Sequence, residues 1–88
     1  MTYKDLIELV MQRQMGIVGL KKTLETVSDV GLAVGDDFRL IGEGGHDELE
    51  KLVAKFKEKY GLVTVMGCKI AVGRKAREGN LALPKILT

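Results

Sequence analysis

From Tyr3 to Val27 the apolar residues Tyr3, Leu6, Val10, Ile17, Leu20, Leu24 and Val27 recur at helical spacing, with Arg13 standing in the one interrupted position. A second row, Ile7, Met11 and Val18, widens that face. Thr2, with Asp5 three residues on, supplies an N-terminal cap, and Gly31 a C-terminal stop. The spacing therefore predicts one helix over residues 3–29. A helix of that length reaches ~40 Å, whereas a compact domain of this size is only about 30 Å across. Two solutions exist. The helix can bend at Gly16 and Gly19, each of which lowers helix propensity by about 1 kcal/mol relative to alanine. Alternatively, a second subunit covers the excess. Because the stripe continues through both glycines, the second subunit is favoured, with Leu6, Val10, Arg13, Ile17, Leu20 and Leu24 as its interface. Arg13 would either fix the register of that contact or lie at the stripe edge with its head in water.

The remaining chain reads as shorter elements. Residues 32–42 form a small β-hairpin, Leu32–Val34 and Phe38–Ile41 around a Gly35-Asp36-Asp37 turn. A helix follows, opened by Asp47 with Glu50, faced by Leu49, Leu52, Val53, Phe56 and Tyr60, and ended by Gly61. Residues 63–77 are read as a further helix, with strand as the alternative for the β-branched start. On that helix Val63, Met66, Ile70 and Arg74 share one face, and Gly67 and Ala71 are small residues four apart. The last segment is extended before Pro84, and its Leu81, Leu83, Ile86 and Leu87 require burial. The expected fold is α+β and mainly helical: one domain over residues 1–88, with a long N-terminal helix, a short hairpin, two further helices and an apolar tail.

Charge is unevenly placed. Residues 1–60 carry nine basic and eleven acidic side chains, and residues 61–88 carry five basic and one acidic, which sum to the net +2 of the 88-residue chain. So small a total does not imply a polyanionic partner. The basic third nevertheless makes Lys69, Arg74, Lys75 and Arg77 the candidate polyanion-binding set. No apolar run approaches the length of a membrane span, and no secretory leader is legible. A membrane-surface helix is not expected, because no face combines Trp or Phe anchors with lysines. The single cysteine cannot form an internal disulfide, so a cytoplasmic setting is expected.

Catalysis by a partnered nucleophile finds little material. His46, Cys68 and Ser28 are the only residues of their types and fall in three different elements. Cys68, among Met, Gly and Ile, reads as a small core residue. Glu43, His46, Asp47 and Glu48 cluster where they could hold a divalent ion weakly, but they match no calcium-loop spacing, and acidic residues in a first turn suit the helix dipole. The "GEGG" stretch lacks the lysine and hydroxyl of a phosphate-cradling loop, and its glycines suit a tight turn. No catalytic residue, metal or cofactor is expected. The functional expectation is a non-enzymatic protein-interaction or sensory-adaptor module acting as a homodimer through its N-terminal helix, with an unspecified protein partner. The competing expectation is a small nucleic-acid-binding protein using the basic third. Against it, the residues a helix-turn-helix would present to bases are "LVTVMG".

Overall fold

The computed structural model describes residues 2–42, 44–84 and 87. Its described residues form four helices and a two-stranded antiparallel sheet, a mainly helical α+β fold. The N-terminal stripe begins as the sequence predicts. Thr2 caps α1 (Tyr3–Ile17) reciprocally: the Asp5 amide donates to the Thr2 hydroxyl at 3.3 Å, and the Thr2 amide donates to the Asp5 carboxylate at 2.9 Å.

The helix does not reach residue 29. It stops at Ile17, and a separate α2 (Leu20–Asp29) starts after Gly19. Gly19 has φ 95° and ψ 162°, a conformation that only glycine adopts readily. The Val18 amide still reaches the Gln14 carbonyl and the Thr23 amide the Gly19 carbonyl, so the ladder is interrupted only between these two bonds. The overshoot is thus resolved within one chain. The molecule measures 31 × 28 × 19 Å, shorter than the continuous helix would have been.

The bend also rotates α2. Its buried side chains are Thr23, Thr26 and Val27, whereas Leu20 is exposed and Leu24 half-buried. Threonine can take these positions because each hydroxyl is satisfied at home. Thr23 Oγ1 donates to the Gly19 carbonyl and Thr26 Oγ1 to the Lys22 carbonyl, both at 2.8 Å, leaving the methyl groups to pack.

The hairpin is shorter than expected, with β1 (Ala33–Val34) paired to β2 (Leu40–Ile41) through Ala33 opposite Ile41 and Val34 opposite Leu40. So small a sheet needs a platform. Glu8 of α1 supplies it. Only 7% exposed, its carboxylate accepts the Leu40 amide at 2.9 Å and the Arg39 guanidinium at 3.2 and 3.3 Å.

Next comes α3 (His46–Tyr60), capped by Gly45, whose amide donates to Glu48 at 3.1 Å. The cap therefore lies ahead of the expected Asp47–Glu50 pair. Leu49, Leu52, Val53 and Phe56 face the core, as their spacing predicts. Asp29 of α2 pairs with Lys59 of α3, and this bond holds the Asp29 carboxyl below its usual range. A single residue, Gly61, separates α3 from α4 (Leu62–Glu78), with φ 90° and ψ 166°, nearly the Gly19 geometry. Residues 62–66 are thus helical, and the strand alternative is set aside.

Helix α1 lies in the middle and packs on α2, α3, α4 and β2. Its Leu6, Ile7, Val10 and Met11 are fully buried beside Val53, Phe56, Cys68 and Val72. Each large apolar side chain buried this way contributes about 1.5–3 kcal/mol. Of the tail residues expected to need burial, Leu81 and Leu83 are half-buried, Leu87 is buried, and Ile86 lies outside the described residues. The Tyr3 hydroxyl donates to the Ala82 carbonyl at 2.8 Å and ties this tail to the first turn of α1.

One core position goes against the pattern. Gln14 is fully buried, and neither its Oε1 nor its Nε2 has a hydrogen-bond partner among the described residues. A buried amide without partners costs free energy that an apolar side chain of similar length does not. Gln14→Met is expected to raise the thermal midpoint, by about 1–3 kcal/mol of added stability, measured by calorimetry. Glu8→Ala is expected to act in the opposite direction. It strands the buried Leu40 amide and should cost about 1–3 kcal/mol, with Glu8→Gln retaining part of the loss, measured by denaturant titration.

Candidate functional site

Outside the core, the described residues show one concentrated anomaly. On α4 the side chains of Leu62, Val63, Met66 and Ile70 are 58%, 81%, 52% and 67% exposed. The sequence correctly groups Val63, Met66, Ile70 and Arg74 on one face, but that face points outward. The face that packs consists of Val65, Cys68, Val72, Gly73 and Ala76. Both faces of α4 are largely apolar at its N-terminal half, so periodicity alone could not say which would be covered.

Two further exposed apolar residues lie at the corner between α1 and α2. Helices α1 and α4 run antiparallel. Tyr3 at the start of α1 meets Ala82 just past the end of α4, and Arg13 Nη2 lies 3.3 Å from where a side chain on Gly67 would begin. The same register carries Ile17 to the level of Val63. Ile17 is 50% exposed and Leu20, across the bend, 45%. Exposed apolar side chains concentrated in this way are of the kind that marks interaction sites.

The six residues expected at a subunit interface therefore separate. Leu6 and Val10 are fully buried in the domain's own core, so they cannot face a partner in this conformation. Arg13, Ile17 and Leu20 remain accessible, and Leu24 lines a cleft with Phe38 beneath the hairpin. Arg13 lies against α4 at the edge of the apolar surface rather than within a helix-pair seam. The missed residues Val63, Met66 and Ile70 had a signal in sequence, namely their shared face.

The basic set is also divided. Lys69, Arg74, Lys75 and Arg77 are all exposed, but 3.6 residues per turn place Lys69 and Lys75 roughly 120° apart around α4. Lys75 pairs with Glu78 at 3.7 Å and lines a cleft of about 560 Å³ with Gln12, Met15, Phe38 and Arg39, to which Asp5 and Asp37 bring opposing charge. Lys69 and Arg77 instead flank a shallow groove with Ile70, Leu83 and Leu87. No single cationic stripe results.

The reactive residue types stay dispersed. Ser28 is on α2, His46 opens α3 and stacks edge-on against Tyr3 at 5.8 Å, and Cys68 is buried in α4. No group of three metal-ligating side chains forms among the described residues. Gly44 in the "GEGG" stretch lies directly against the Ile7 and Leu40 side chains, so its missing Cβ serves a close approach to the core. No helix among the described residues is long and apolar enough to cross a membrane. Compared with known proteins, the chain matches no family model, no curated protein and no solved structure.

Burial pushes the Cys68 thiol up to about 11, with Arg13 pulling weakly the other way. Because its folded value lies above the unfolded one, the contribution is present below the unfolded value and is lost as pH rises through the folded one. Wild type should therefore lose more stability than Cys68→Ala between pH 8 and about 11, compared by urea titration across that range. Thiol reagents should label the native protein only at the rate of its opening.

Proposed function

We propose that the protein is a non-enzymatic interaction module that acts as a homodimer. Its contact surface is the outer face of α4 together with the α1–α2 corner, rather than the α1 stripe. The observation that supports this is the exposed row Val63, Met66 and Ile70, at the three-and-four spacing of a helix-pairing seam. A second copy suits the surface because a two-fold interface must complement itself, and an apolar row opposite its own image does so without unpaired charge. Ile17 and Leu20 extend the same surface, which keeps part of the N-terminal helix in the contact. The polyanion reading is weaker, since Lys75 turns away from Arg74 and is engaged with Glu78.

The test exploits exposure. Val63 and Ile70 are 81% and 67% exposed, so Val63→Glu with Ile70→Glu should keep the helical circular dichroism and a thermal midpoint close to that of the wild type. Sedimentation equilibrium should show the wild type as a dimer and the variant at monomer mass. A wild type that stays monomeric at every concentration up to solubility refutes the assignment.

A further inference from the structure

The apolar stripe describes one helix, and at Gly19 the helix breaks although the stripe does not; the break lies in the backbone conformation. Nothing lies within 4 Å of a Cβ placed there, so sterics outside the backbone do not demand glycine. Its φ of 95° does. No side chain caps α2 at this point. If Val18 and Gly19 became helical, the first amides of α2 and the last carbonyls of α1 would regain ladder partners.

Helix α1 sits in a socket formed by α2, α3 and α4 of its own chain. Its Gln14 is enclosed there without a hydrogen-bond partner among the described residues. Short links held in unusual conformations between packed elements are the positions at which elements exchange between copies. We infer that α1 is exchangeable: with Gly19 helical, α1 and α2 become one continuous helix, and each α1 fills the socket of a second copy of this chain. Leu6 and Val10 are then buried against the partner by the same contacts they make within one chain. This assembly does not depend on the outer face of α4.

The experiment is therefore done in the Val63→Glu/Ile70→Glu background, where contact through α4 is removed. Gly19→Ala penalises the bend and favours the continuous helix. At fixed concentration, after refolding, it should raise the dimer-to-monomer ratio roughly a hundredfold by light scattering, with helical content kept or increased. A D-alanine placed at position 19 by semisynthesis accepts the positive φ and should leave the chain monomeric. A Gly19→Ala chain that stays monomeric, folded or unfolded, overturns the proposal. So does equal dimerisation of the D-alanine chain.

Discussion

Two glycines with nearly the same backbone conformation give this molecule its shape. Gly19 and Gly61, at φ 95° and 90°, turn the chain between helices with almost no loop. Each bend converts what would be an extended rod into two helices that can share one core. The arrangement leaves α1 surrounded and makes its apolar face the common floor for α2, α3 and α4. A chain of 88 residues has little surface to spare for burial. Turning helices at single residues spends few residues on connections, which suits that limit.

Polar groups inside the core are handled in three different ways. The two threonines of α2 satisfy their hydroxyls on the preceding turn and behave as small apolar side chains. Glu8 is buried yet fully engaged, and through it the hairpin is fastened to α1 by a charge-assisted set of bonds rather than by area. Gln14 alone is enclosed without partners among the described residues. The three cases differ in whether the backbone or another side chain can reach the polar atom, not in the polarity of the residue.

Much of this was legible in the sequence, and the failures have a common origin. The capping pair Thr2–Asp5, the inward face of α3, the hairpin and the docking of Leu87 all follow from local rules that the chain obeys. A bend at Gly16 or Gly19 is one of two readings the sequence allows, and the unbroken stripe favours the other; the structure breaks the helix at Gly19. Periodicity records which residues could share a face and is silent on whether the backbone between them stays helical. The outward turn of Leu20, and its replacement in the core by Thr23 and Thr26, follow from that one event. On α4 the ambiguity was different. Val63, Met66 and Ile70 compete with Val65, Cys68 and Val72 for the same neighbour, and small residues decide the outcome. Gly73 and Ala76 lie buried on the second row, and Gly67 leaves room for the Arg13 side chain.

The contact between Tyr3 and Ala82 joins segments 79 positions apart. Helices α1 and α4, also distant in sequence, form a major packing pair of the fold. During synthesis, the part of the α1 surface that α4 covers therefore stays open until α4 has emerged. The core is complete only when the C-terminal helix is available to the N-terminal one, so its most buried helix depends on the segment made last among the four helices.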